Sequence, residues 1–389
     1  MKILKSKKIC VITGSRAEFG LLKNLINELI RSKKIEIKLI VTGSHLSKKY
    51  GLTIDEIKKE KLKVEKRIDL NLKKDDSKGL SSSISLGLKK FVNLLNKLSP
   101  DSILVVGDRF EIFTAALAAT ICRIPICHIH GGELTQATLD DVFRHSITKM
   151  SHVHFAATQT YKKRIIQLGE NPARVFNVGG LGVDSIKSYN FLTKSEIEKR
   201  LNFKFLKKNI LVTFHPETLN KDSTKKNFTI LLSVLKKLKN TNIIFTMPNH
   251  DIDCSIIHSL TLNFVKKEKN AYFFKSLGQK VYYSCCKYID CMVGNSSSGL
   301  LEIPSFKKYS VNLGDRQKGR IKAASVINCK FRSNEIFKKI NYALNKKNQS
   351  KIQSVKNPYG NGGASKKIVS ILERIKFKKI INKKFYDII

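Results

Sequence analysis

Two rhythms of apolar and polar residues alternate along this chain. Short, β-branched apolar runs recur, and longer stretches with helical spacing separate them. Lys8–Thr13, Glu36–Thr42, Ser102–Val106, Pro125–Ile129, His152–Ala156 and Val175–Val178 read as strands. An amphipathic helix is predicted after the first strand, ending near Arg31, and Ile84–Leu98 again has helical spacing. Strands that alternate with helices and read as continuous apolar runs predict a parallel sheet covered on both faces.

A polar, Lys-rich passage, Ser185–Lys208, breaks this series. Within it Thr193–Leu201 carries a helix signal, with Thr193 as N-cap and Glu196 three residues on. A second alternating set follows: strand Asn209–Thr213, helix Lys226–Lys237, strand Asn242–Phe245, helix Gln279–Cys286, and strands Ile289–Val293 and Tyr309–Leu313. The segment from Ala364 to Ile375 is an amphipathic helix. The expected fold class is α/β: two Rossmann-like domains with parallel sheets, each offering its strand C-termini to a shared cleft. The expected domains are 1–184, 185–365 and a C-terminal helix in 366–389.

Composition narrows the function. With 389 residues, of which 42% are hydrophobic, the chain can bury two cores and is not disordered. Its eight cysteines form no CxxC pair and sit mostly in apolar runs, so they read as buried thiols in a reducing cytoplasm, with no metal site. The first apolar run, Ile9–Ile12, is too short for an export signal, and no apolar stretch approaches the roughly 18 residues of a membrane span. A cytoplasmic protein with no membrane partner is expected. The net charge of +42 invites a nucleic-acid reading. Yet 60 of the 73 basic residues are lysines scattered over every polar face, and no nucleic-acid motif accompanies them. No specific nucleic-acid partner is therefore expected. The arginines are placed differently: Arg16, Arg109, Arg144, Arg316 and Arg320 all lie in Gly- or acid-rich motifs, where a guanidinium suits phosphate or carboxylate.

The candidate chemistry is densest from Gly107 to Lys149, which holds five acids, three arginines and three histidines. Most follow predicted strands, where parallel α/β sheets bind ligands. Asp108, Arg109, His128, His130, Glu133, Asp140, Asp141, Arg144 and His145 are expected to converge on one cleft for proton transfer beside an anion. Asp108 is also placed to cap the helix that starts near Glu111, and Asp140–Arg144 and Asp141–His145 have the spacing of ion pairs on a helix face. The turn Thr13–Gly20 joins the first strand to the first helix, and Arg16 makes it either a phosphate site or an ordinary βα turn. Gly294–Gly299 (GNSSSG) follows an apolar strand and opens a helix. Ser296, Ser297 and Ser298 exceed what capping needs and suit a diphosphate, and Glu302 could accept ribose hydroxyls. His215, ending the first strand of the second half, could bind phosphate or transfer a proton.

Together these motifs resemble the hydrolysing UDP-N-acetylglucosamine 2-epimerases of sialic-acid-type pathways. The matching segments, TGSRAEFG, VTGSHLSKKYG, GDRFEIFTAALAA, HIHGGE, DDVFRHSITKMSH, FHPET, VGNSSSGLLEIPS and NLGDRQKGR, run in order from Thr13 to Arg320. The resemblance implies the GT-B fold, with UDP bound mainly by the second domain and a terminal helix returning to the first. It implies a UDP-sugar substrate, no metal or redox cofactor, and a homo-oligomer, dimer or tetramer. The implied reaction eliminates UDP to form a 2-acetamidoglucal, then adds water to give N-acetylmannosamine. Asp108 and Asp140 match family catalytic acids, and Arg16, Arg109, His215, Ser296, Ser297, Glu302 and Arg316 match UDP-contacting positions. Some relatives carry a catalytic glutamate where this chain has His130, so that role falls to His130 or to Glu133. The same chemistry on UDP-N,N'-diacetylbacillosamine, a non-hydrolysing epimerase and a glycosyltransferase remain alternatives.

Overall fold

The computed structural model describes residues 6–48, 51–73, 76–135, 139–216, 223–247 and 254–388. Lys49 and Tyr50 of VTGSHLSKKYG and Glu217 and Thr218 of FHPET lie outside them.

The first unit runs to Glu133, resumes over Leu139–Ser185 and ends with Tyr359–Ile389. Its strands are β1 (Lys7–Thr13), β2 (Ile35–Thr42), β3 (Val64–Ile68), β4 (Ser102–Val106), β5 (Ile126–Ile129), β6 (Val153–Ala156) and β7 (Val175–Asn177). They form one sheet in the order β3-β2-β1-β4-β5-β6-β7, parallel throughout. Parallel strands must hide both faces, and β1 shows how. Ile9 and Val11 join one core, with Leu22, Leu25 and Leu29 of helix Arg16–Arg31 and Ile368 and Leu372 of helix Ala364–Arg374. Cys10 and Ile12 join the opposite core, with Phe91 and Leu95 of helix Ser77–Leu98 and the alanines of helix Phe110–Ile121. The alternation of Cβ directions along a strand is the cause.

The last helix belongs to this unit. Lys7 Nζ closes its C-terminus by donating to the carbonyls of Leu372, Glu373 and Ile375 at 3.0, 2.6 and 2.7 Å. At its start the Asp184 carboxylate accepts the N–H groups of Gly363 and Ser365. Both ends of the helix thus have side-chain partners for groups a helix leaves unpaired.

The second unit comprises Ile186–Pro358, with Leu134 and Thr135. Its strands are β8 (Lys208–Thr213), β9 (Thr241–Thr246), β10 (Ala271–Phe274), β11 (Cys291–Gly294), β12 (Tyr309–Leu313) and β13 (Val326–Cys329), ordered β10-β9-β8-β11-β12-β13 and all parallel. The expected capping box is present: Thr193 Oγ1 accepts from Glu196 N, and Glu196 Oε2 accepts from Thr193 N at 2.7 Å. All eight cysteines are free, and six of them are buried. Three strands escape the sequence reading: β3, β10 and β13 are short, lie at sheet edges and are each only partly buried.

Candidate active site

Strand order reverses between β1 and β4 in the first unit and between β8 and β11 in the second. Loops leaving the strands on either side of such a point diverge and open a crevice. The candidate residues gather at these two points.

In the first unit β1 runs through Gly14 into Ser15, which caps helix Arg16–Arg31 by accepting from Glu18 N at 3.3 Å. Arg16 is the first helical residue and is half-buried. Beside this turn β4 ends at Val106. Gly107 follows with φ 80°, a conformation that favours glycine, and reverses the chain into Asp108 and Arg109.

Asp108 does not cap the next helix. Arg109 occupies the N-cap position of Phe110–Ile121, without a side-chain cap bond. The Asp108 carboxylate instead pairs with Nη2 of Arg144. A guanidinium is a stronger partner than neutral amides. Arg144, 1% exposed, also donates through Nη1 to Asp141 Oδ1 and to the Glu133 carbonyl, each at 3.0 Å. One buried cation therefore ties the β4 loop, the loop after β5 and helix Leu139–Met150 together. Asp140 lies half-buried in the first turn of that helix, and Asp141 also reaches His145 at 3.6 Å.

His128 departs from expectation. It lies within β5, fully buried, and donates from Nε2 to the Gly107 carbonyl at 2.7 Å, while Nδ1 meets Thr148 Oγ1 at 3.3 Å. Burial pushes its pKa down to about 3, so it stays neutral. It props the turn that carries Asp108 and is not at the cleft surface.

His130 follows β5 with φ 65°, a strained conformation for a histidine. Its Nε2 accepts from Leu181 N at 3.4 Å, which leaves Nδ1 as the protonated nitrogen, 3.3 Å from Glu133 Oε1. Both residues are buried. The pair is an imidazole N–H facing a carboxylate, beside the Arg144–Asp108 pair.

In the second unit β11 ends at Gly294, φ 141°, where an added Cβ would lie 1.9 Å from the Thr213 carbonyl oxygen. Only glycine fits. The buried Asn295 carboxamide then bridges to β8: Oδ1 accepts from His215 N at 2.6 Å and Nδ2 donates to His215 O at 2.8 Å. Arg316 and Gln317 both donate to the Asn295 carbonyl, at 3.2 and 2.9 Å. His215 and Arg316 are thereby held at one switch point.

The serine loop is tighter than expected. Its helix is a single turn, Ser298–Leu301, followed by the 3-10 turn Ile303–Phe306. Ser298 Oγ donates to Glu302 Oε2 and accepts from Tyr282 OH at 2.6 Å, and Tyr283 OH donates to Glu302 Oε1 at 2.8 Å. Burial raises the Glu302 pKa. Ser298 and Glu302 thus serve each other, whereas Ser296 and Ser297 lie at the start of the turn and half-exposed. Tyr282 and Tyr283 were not legible as site residues, since in sequence they are the apolar face of a helix.

The chain matches the UDP-N-acetylglucosamine 2-epimerase family over residues 27–373. It is 40% identical over 387 residues to the GDP/UDP-N,N'-diacetylbacillosamine 2-epimerase (hydrolyzing) of Campylobacter jejuni, covering 99% of this chain and 100% of that protein. It is 41% identical over 384 residues to the polysialic acid biosynthesis protein P7 of Escherichia coli, covering 98% of each. Its fold is that of the Neisseria meningitidis UDP-GlcNAc 2-epimerase solved with UDP-GlcNAc, with a TM-score of 0.80 and 22% identity, covering 94% of this chain and 99% of that one. Two parallel α/β units of GT-B type and full-length relatives named as hydrolysing 2-epimerases carry the same conclusion: the chain belongs to the UDP-N-acetylglucosamine 2-epimerase family.

Proposed function

We propose that the protein is a hydrolysing 2-epimerase that converts UDP-N-acetylglucosamine to N-acetylmannosamine and UDP, supplying a sialic-acid-like pathway. The observation that carries this reading is the convergence of Asp108, Asp141 and the Glu133 loop on Arg144, with His130 against Glu133. Such a set can hold carboxyl groups at fixed positions beside a weakly acidic carbon.

In the proposed reaction a carboxylate of Asp108, Asp140 or Glu133 takes the proton on C2. The electrons of that C–H bond form the C1=C2 bond, and the C1–O bond breaks, releasing UDP. Water then adds to the 2-acetamidoglucal: its hydroxyl goes to C1, and a proton reaches C2 from the opposite face. His130, its Nδ1 facing Glu133, is suited to that protonation. The sequence is redox-neutral and uses no cofactor. Arg16 and Arg109 are assigned to the diphosphate. His215, Ser296, Ser297 and Arg316 are assigned to UDP, with Ser298 and Glu302 shaping their loop. A cytoplasmic, homo-oligomeric enzyme belongs to the same proposal.

Proton NMR of UDP-N-acetylglucosamine with the protein in D2O tests this. Free N-acetylmannosamine carrying deuterium at C2 is expected. UDP-N-acetylmannosamine as product would overturn hydrolysis.

A second reading, UDP-N,N'-diacetylbacillosamine as substrate, is favoured by the name of the Campylobacter relative. Turnover of that sugar, with none of UDP-N-acetylglucosamine, would establish it.

A further inference from the structure

Two buried carboxyl groups at the first switch point have no part in the chemistry above. Glu18 is 6% exposed and Glu111 fully buried. Both enclose Gly14. Glu18 Oε2 accepts its N–H at 2.7 Å, and a Cβ on Gly14 would stand 2.3 Å from Glu111 Cγ and 2.8 Å from its Oε1. Gly43, after β2, would likewise place a Cβ 2.9 Å from Glu111 Oε1, and Ser44 Oγ donates to the Gly14 carbonyl at 3.0 Å. Three βα loops thus close on one pair of acids.

The charges in this space do not balance. Arg109 Nε donates to Glu111 Oε1 at 2.8 Å, one cation for two carboxyls among the described residues. The groups that face Glu18 are Glu111, Arg109 and Asp108. His45, from the β2 loop, is bonded to Thr13 and Thr53 and is kept neutral by burial. The remaining oxygens, Glu18 Oε1 and Glu111 Oε2, are buried and have no hydrogen-bond partner among the described residues. Two adjacent buried carboxylates with one counter-charge cannot both ionise cheaply, and a proton on one relieves the excess. We propose that Glu18 and Glu111 hold one proton between them and act as positioning residues: the Glu111 carboxyl orients Arg109, and protonated Glu18 keeps negative charge away from the Gly14–Arg16 turn, where an incoming diphosphate would bind. The inference rests on the UDP-sugar reading for its consequence, and on the geometry alone for the proton. Burial first, and then the charge of Glu111, push the Glu18 pKa up to about 8, so the proton leaves just above neutrality.

Infrared difference spectra of the ligand-free protein, titrated from about pH 6 to about pH 10, test the proton directly. A protonated-carboxyl band that vanishes near pH 8 and is absent from Glu18→Gln is expected. KM for the UDP-sugar should rise about tenfold across that range in the wild type, the worth of one charge-assisted contact, and stay flat in Glu18→Gln. Glu111→Gln should raise KM more than it lowers kcat. A wild-type protein without the band, or a Glu18→Gln variant that keeps both the band and the alkaline rise in KM, would overturn the proposal. Should Glu18→Gln not fold, the wild-type band decides alone. The band without any turnover of a UDP-sugar would leave the pair standing and defeat the functional reading.

Discussion

Arg144 and Asp108, 36 residues apart in sequence, form an ion pair in which the arginine is almost wholly buried and the aspartate partly exposed. The exposed side of the carboxylate is thereby aimed, while its partner is fixed by two further bonds to Asp141 and Glu133. Asp108→Asn keeps the shape and should lower kcat by about 10²-fold, with little change in UDP affinity. Arg144→Lys keeps the charge but cannot serve three acceptors in a fork, and should approach the same loss. Steady-state kinetics with calorimetric UDP binding checks both. Turnover of Asp108→Asn within about threefold of the wild type would remove Asp108 from proton transfer.

The pairing of His130 with Glu133 leaves two assignments of the second acid–base group. If His130 delivers the proton, His130→Gln should lose about 10²-fold in kcat and one limb of the pH–rate profile. If Glu133 does, Glu133→Gln should show that loss and His130→Gln should be mild. A profile unaltered in both variants would leave proton transfer to Asp108 and Asp140.

The serine loop separates two roles. Ser296→Ala with Ser297→Ala should weaken UDP binding by about 1–3 kcal/mol, from lost bonds to a charged group. Ser298→Ala should instead unseat Glu302, whose oxygens rely on Ser298 and Tyr283, and lower thermal stability as well. Unchanged UDP affinity in the double variant would take the diphosphate away from this loop.

Glu170 supplies a pH prediction for stability. It is buried, yet it meets His154 at 2.9 Å, Lys149 at 3.0 Å and Lys383 at 2.7 Å. Burial alone would raise its pKa; the bonds and charges of His154 and Lys383 override that and bring it down to about 2. A depressed folded-state pKa stabilises above the ordinary carboxylate value and is lost on acidification. Melting temperature should therefore fall from about pH 4.5 toward pH 2, and Glu170→Gln should flatten that part of the curve. The variant also removes the buried carboxylate that faces His154, Lys149 and Lys383 and should cost about 3 kcal/mol at neutral pH. An acid-melting curve unchanged by Glu170→Gln would show that the pair does not couple to folding.

The local elements were written in the sequence. Ser102–Val106 and Tyr309–Leu313 are strands with the bounds their apolar runs predict, and the Thr193–Glu196 capping box forms as its spacing requires. Apolar period and cap chemistry act within a few residues, so they need no knowledge of the fold. The clustering of functional groups after strands was legible for the same reason, because βα alternation dictates where those loops lie.

Depth and pairing were not legible. His128, His130 and Asp108 look alike on paper, but the sheet puts His128 inside β5, neutral and bonded to Gly107, and turns Asp108 from its helix cap to Arg144. Glu18 and Glu111 read as ordinary acids near helix starts until β1 and β4, adjacent in the sheet, bring both to Gly14. The sequence by itself determined which groups stand at the ends of strands. The tertiary structure decided which are buried and what charge faces them, because desolvation and Coulomb energy depend on neighbours that the chain brings from far away.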